Sequence, residues 1–155
     1  MRTGEQGAER HLGAADELAD GLGDDVPDWV AYFDAAEHAG ARAVSARDLT
    51  GIGRPRTASV HFIDALALRK PGFERVRVMD RIGLSAALFT EGDAEQAAVA
   101  AQQALDDAAR VESTLVASRL NTLLDAARPY KTAAVDDVRT RARDLASSRP
   151  TTVAA

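Results

Sequence analysis

The chain has no cysteine, so disulfides, zinc–thiolate centres and thiol nucleophiles are all excluded. That absence fits a reducing compartment. No apolar run approaches the roughly 20 residues that a membrane-spanning helix needs. The opening Met1-Arg2-Thr3-Gly4-Glu5-Gln6 lacks the basic and then apolar layout of a signal peptide. Aromatic residues supply 5% of the composition and lysine occurs only at Lys70 and Lys131. Long runs of β-branched residues are missing, and no long segment alternates in the strand period. These absences leave a soluble, cytoplasmic, all-α protein without membrane contact as the expectation.

What is present supports helices. Alanine and leucine dominate, both strong helix formers, and glycine and proline punctuate apolar stretches of helical spacing. The pattern predicts seven helices: Gly7 to Leu22, Asp28 to Thr50, Pro55 to Leu68, Glu74 to Glu91, Ala94 to Arg110, Ser113 to Ala127 and Ala133 to Ser147. Their inward stripes include Phe62, Ala65 and Leu66 in the third and Val78, Ile82, Leu84, Leu88 and Phe89 in the fourth. The fifth presents Ala97, Ala98, Ala101, Ala104 and Ala108. The sixth offers Leu115, Val116, Leu120, Leu123 and Leu124, and the seventh Val135, Val138, Ala142 and Leu145. Gly40 weakens the second helix by roughly 1 kcal/mol relative to alanine. A length of 155 residues suits one domain with a real core. The division expected is an acidic N-terminal helix over 1–26 packed on a helical array over 27–148, with a frayed tail over 149–155.

Net charge is −5 but unevenly spread. From Glu5 to Glu37 there are ten acids against the single base Arg10, a net of −9. From Arg128 to Arg149 six bases meet three acids, a net of +3. Such asymmetry either steers a partner, pairs two chains head to tail, or marks the solvated faces of two helices. An acidic domain whose basic tail holds only Tyr130 as a stacking aromatic is not built for direct nucleic-acid binding.

Two stretches read as the same helix-turn-helix, thirty-nine positions apart. The first runs from Leu49-Thr50-Gly51-Ile52-Gly53 through Ala58 and Phe62 to Ala65-Leu66. The second runs from Leu88-Phe89-Thr90-Glu91-Gly92-Asp93 through Ala97 to Ala104-Leu105. Gly53 falls on Gly92, Ala58 on Ala97 and Ala65 on Ala104. A repeated helical hairpin implies a stacked scaffold, whose usual work is holding rather than transforming a molecule.

The segment Gly92-Asp93-Ala94-Glu95-Gln96-Ala97, followed by Ala104, resembles the tetratricopeptide (TPR) repeat. The first copy resembles it too, with Gly53 as the turn glycine, Ala58 and Ala65 as the small positions and Phe62 as the aromatic between them. Ala101 stands where Phe62 stands in copy one, and the offset exceeds the usual thirty-four of that repeat. The resemblance implies stacked helical hairpins, an α-solenoid. A narrower similarity covers most of the chain from Trp29 onward: Trp29-Val30-Ala31-Tyr32-Phe33-Asp34-Ala35-Ala36-Glu37, Ala65-Leu66-Ala67-Leu68-Arg69, Leu88 to Gln96, Arg119-Leu120-Asn121-Thr122-Leu123-Leu124 and Ala127-Arg128-Pro129-Tyr130. These are similar to the C-terminal TPR-like region of XRE-type helix-turn-helix transcription regulators of actinobacteria. Twenty-six residues precede Pro27, too few for the DNA-binding domain those regulators carry in front. The resemblance therefore implies the sensory or oligomerising half.

In TPR arrays the first helix of each hairpin lines the concave groove. Transferred through the repeat, that places Val44, Arg47, Met79, Ile82, Ala86 and Phe89 near a groove, continued by Arg119 and Asn121. Such a surface suits an apolar peptide or small acid, and core packing is the competing role for each residue. Trp29, Tyr32 and Phe33 read either as core or as an aromatic wall. Gly51-Ile52-Gly53-Arg54 is a helix-to-helix turn, since it lacks the preceding strand and Gly-Lys-Ser/Thr ending of a phosphate loop. His61 and Asp64 share a helical face, and packing could bring them to Glu37 and His38 as a polar site. No metal or cofactor motif stands out. The expectation is a non-catalytic TPR-like module that binds a protein, a peptide or a small-molecule effector and self-associates as a homodimer or higher homo-oligomer. The alternative is a small helical enzyme of biosynthetic metabolism with a histidine-based pocket.

Overall fold

Capping residues and glycines cut the chain where the sequence pattern does. The computed structural model describes residues 35–50 and 58–148, with Arg10, Gly13, Ala14 and Glu17 from the N-terminal stretch; within the first run, side chains are described for 36–46. Six helices have defined bounds: α1 (Ala35–Thr50), α2 (Ala58–Leu68), α3 (Glu74–Glu91), α4 (Ala94–Ala109), α5 (Thr114–Ala127) and α6 (Ala133–Ser147). No strand occurs among the described residues. No helix among them is long and apolar enough to cross a membrane.

The all-α expectation holds, with six bounded helices in place of seven. The expected helix from Gly7 to Leu22 falls largely outside the described residues, although Arg10, Gly13, Ala14 and Glu17 are helical. Trp29, Tyr32 and Phe33 also lie outside them. From α3 onward the helix ends agree with the sequence pattern to within a residue. Gly92 closes α3 with φ 92°, a left-handed conformation that costs glycine little, and the N–H bonds there return to the Leu88 and Phe89 carbonyls. Asp93 then caps α4, its carboxylate accepting the Gln96 N–H at 3.1 Å. Thr132 does the same for α6 at 3.3 Å from the Val135 nitrogen.

Consecutive helices pack in pairs: α1 on α2, α3 on α4 and α5 on α6. Central α3 also touches α1, α2 and α5, and α4 reaches α6; α1 meets neither α5 nor α6. One continuous core joins Val78, Ile82 and Phe89 of α3 to the alanine face of α4, to Val116, Leu120 and Leu123 of α5, and to Val135, Val138 and Ala142 of α6. All five alanines expected to face inward on α4 are buried. Small residues there let neighbouring helices come close. A separate, smaller cluster joins Ala43 of α1, Ala58 and Phe62 of α2, and Ala87 of α3. One expected core residue is misplaced. Leu115 is 60% exposed: in the same turn Val116 and Ala117 are buried, and Val116 rather than Leu115 keeps the four- and seven-residue spacing to the buried Leu120 and Leu123.

Polar bonds pin the pairs. Glu91, at the end of α3, accepts the Ser59 N–H at 3.1 Å and the Ser59 hydroxyl at 2.6 Å. This places an anion at the N-terminus of α2, where the helix dipole favours it. The buried Ser85 hydroxyl donates to the Ala97 carbonyl at 2.9 Å, tying α3 to α4. Tyr130 donates its hydroxyl to the Phe89 carbonyl and stacks at a tilt on the Phe89 ring, centroids 5.3 Å apart.

Candidate functional site

The helical period of α3 sends three kinds of side chain in three directions. Val78, Ile82 and Phe89 enter the main core. Asp80, Gly83 and Ala87 share the stripe that faces the α1–α2 pair, four and three residues being one face of a helix. Met79 lies between, half-buried. Where these stripes meet α1 and α5, a crevice opens. It is lined by Val44 of α1, Phe62 of α2, Met79, Asp80, Ile82 and Gly83 of α3, and Arg119 and Thr122 of α5. Its free space is about 40 Å³, little more than the ~30 Å³ share of one water molecule.

Four of the eight expected groove residues, Val44, Met79, Ile82 and Arg119, converge on this crevice from α1, α3 and α5. Ile82, at 1% exposure, offers a partner almost no surface, and Ala86 and Phe89, at 2% and 1%, do not line the crevice. Asn121 is exposed and turns instead to a basic bay between α5 and α6. Arg47 lies within α1, but its side chain is outside the described residues. Arg119 is half-buried and forms no hydrogen bond or ion pair with a described residue. Its guanidinium is thus the uncommitted cation at an otherwise mainly apolar crevice.

Behind the crevice lies a buried ionic network that sequence reading missed. Arg69, just past the end of α2, donates through Nε to the Asp80 carboxylate at 2.8 Å and through Nη1 to Glu37 of α1. The arginine side chain is 3% exposed and the aspartate 9%. Arg77 closes the group by donating to the Arg69 carbonyl at 2.8 Å. Burial pushes the Asp80 carboxyl above its ordinary range, the Arg69 hydrogen bond and charge pull it down less, and Glu37 adds to the rise. For Arg69 burial opposes the charge, yet its bonds to Asp80 and Glu37 win and its proton is held more tightly than usual. Gly40 explains itself here: a Cβ on it would meet the Arg69 guanidinium at 2.8 Å. The glycine read as a weak point of a helix is the gap through which the arginine passes. The sequence signal for the network was an acid, Asp80, on the same stripe as Gly83 and Ala87.

Of the expected polar group, Glu37 is committed to Arg69. His38 and His61 are half-buried, and Asp64 is exposed on α2. Among the described residues no three His, Cys, Asp or Glu side chains are grouped to hold a metal ion.

The basic bay differs in every respect. It is a cleft of about 500 Å³ lined by Asn121, Leu124, Asp125 and Arg128 of the α5 end, Lys131 of the following loop, and Arg139 and Arg143 of α6. Arg139 is pinned at the end of α5, donating to the carbonyls of Arg128 at 3.3 Å and Tyr130 at 2.8 Å. Arg128 pairs with Asp125 at 2.5 Å.

Comparison of the chain with known protein families, with curated proteins and with solved structures gives no match in any of the three.

Proposed function

We propose that the three helix pairs act as a short TPR-like stack that holds a protein or peptide partner, as a regulatory or sensory module. The crevice at α1, α3 and α5 is the contact point. The observation that carries this reading is the convergence of the half-buried Val44, Met79 and Arg119 from three non-consecutive helices. Alternate helices lining one surface is what a stack of hairpins offers a partner. The free space argues for a docked side chain over an enclosed metabolite: about 40 Å³ compares with the ~300–1,000 Å³ of small-molecule sites. The matching partner presents an apolar side chain to Val44 and Met79 and a carboxylate to Arg119. A charge-assisted bond from that guanidinium contributes about 1.5–3 kcal/mol.

Selection of random peptides on the purified chain tests the reading. Enriched peptides should share an apolar residue beside an acid. Met79→Arg should weaken them about tenfold or more by placing a charge against the apolar wall. Arg119→Ala should weaken only those carrying the acid. If no peptide is enriched, or if binding ignores Met79→Arg in a variant with unchanged circular dichroism, the crevice is not the contact point.

A further inference from the structure

The charge asymmetry of the sequence finds a physical counterpart in the bay between α5 and α6. Arg128, Lys131, Arg139 and Arg143 line it against Asp125 alone, a formal charge of +3. Arg128 is neutralised locally by Asp125, and Arg139 is fixed by carbonyls and by Asp136. Lys131 and Arg143 form no hydrogen bond or ion pair with a described residue. Both are exposed. A concave wall of one sign focuses its field into the cleft, so its charges act more strongly than the same number on a convex face.

The complementary charge is in the chain itself. Residues 5–34 carry nine acids, among them Asp16, Glu17, Asp20, Asp24 and Asp25, against Arg10 alone. That stretch leads into α1, and α1 touches α2 and α3 but neither α5 nor α6. The stretch therefore joins the fold at a helix that does not pack on the two helices forming the bay. We propose that the bay receives the acidic N-terminal stretch of a second copy of this chain. This proposal does not depend on what the crevice binds. The contact is head to tail: each copy offers a bay on α5 and α6 and an acidic stretch that precedes α1 in sequence. Such heterologous pairing leaves both ends open unless a ring closes.

The net charge of −5 repels copies at long range, so association at low salt would report the local match. Sedimentation velocity of the full chain provides the test. At about 10 mM salt, where the screening length is about 30 Å, the weight-average mass should rise with concentration. At about 1 M salt, where it is about 3 Å, the mass should fall to the monomer value. Two variants then separate the halves of the contact. Lys131→Glu with Arg143→Glu inverts the bay and leaves the acids. The set Asp16→Asn, Glu17→Gln, Asp20→Asn, Asp24→Asn and Asp25→Asn leaves the bay and removes the acids. Each alone should remain monomeric, and an equimolar mixture should form a 1:1 heterodimer and nothing larger. Recovery on mixing also shows that both variants are folded. A wild type that stays monomeric at low salt overturns the proposal, as does a mass indifferent to salt. A silent mixture of two folded variants overturns it as well.

Discussion

Where α1 and α2 join the molecule, the buried apolar cluster is Ala43, Ala58 and Phe62 resting on Ala87. Between α3 and α6 the core runs unbroken through all four helices, from Val78 to Ala142. The first junction has one large apolar side chain and compensates with charge, through Arg69 held between Glu37 and Asp80. The second has no ion pair with both partners buried among the described residues: Arg139 is buried but its partner Asp136 is exposed, and Arg81–Asp107 and Arg141–Asp106 lie nearer the surface, where such pairs contribute little. Apolar packing fails gradually as methylenes are removed. A buried ionic network fails abruptly, because losing one partner leaves a charge stranded in a dry site. The α1–α2 pair should therefore open as a unit at lower free energy than the rest.

The strongest way to break this contrast is Arg69→Leu. It strands the Asp80 carboxylate and should cost about 3–5 kcal/mol. Native-state hydrogen exchange should show the amides of α1 and α2 losing protection while those of α5 and α6 keep theirs. Equal losses in both regions would mean that the molecule opens as one body.

Gly83→Ala probes the same junction through volume. A Cβ there would lie 2.4 Å from the Phe62 ring, so the ring or α3 must move. Overpacking of this kind costs about 1–3 kcal/mol, against up to ~1 kcal/mol regained in helix propensity. Urea denaturation should find a net destabilisation that Phe62→Leu partly relieves; a neutral Gly83→Ala would mean that the junction is loose.

The smallest effect is a pH dependence. Because the folded state holds the Asp80 proton more tightly than the unfolded chain, this group's stabilising contribution is complete below its ordinary value of 3.8. It is lost as pH rises through the raised folded-state value. Asp80→Asn cannot titrate, so the variant should gain on the wild type as pH climbs from about 3.8 toward neutrality. Urea midpoints for both proteins across that range give the sign, and a constant gap between them would show the carboxyl to be wetted.

Sequence legibility follows the same divide. The α3–α6 region was readable because a 3.6-residue apolar period and strong stop signals such as Gly92-Asp93 act locally. Leu115 misled because it adjoins Val116, and only Val116 keeps the i, i+4, i+7 spacing with Leu120 and Leu123. Around α1 and α2 the deciding contacts are non-local: Glu37, Arg69 and Asp80 come from three separate segments, and the acid Asp80 on the stripe of Gly83 and Ala87 was the one local sign of them. His38 and His61 drew attention by chemical type, while the buried arginine looked like ordinary helix-end charge. Val44, Met79 and Arg119 meet at one crevice because they sit on alternate helices, α1, α3 and α5. Phe89 was lost to the core because Tyr130, forty-one residues later, covers it.

The alanine face of α4 has a further consequence. Alanine has no rotamers to freeze, so docking this helix avoids the side-chain entropy that leucine would surrender. A face of methyl groups is also smooth. It fixes how near its neighbours lie but offers few knobs to stop one helix sliding along another. Axial register at the α3–α4 seam then falls to two directional contacts, the Ser85 hydroxyl on the Ala97 carbonyl and the Arg81–Asp107 ion pair. Those polar contacts work as the detents of an otherwise low-friction joint.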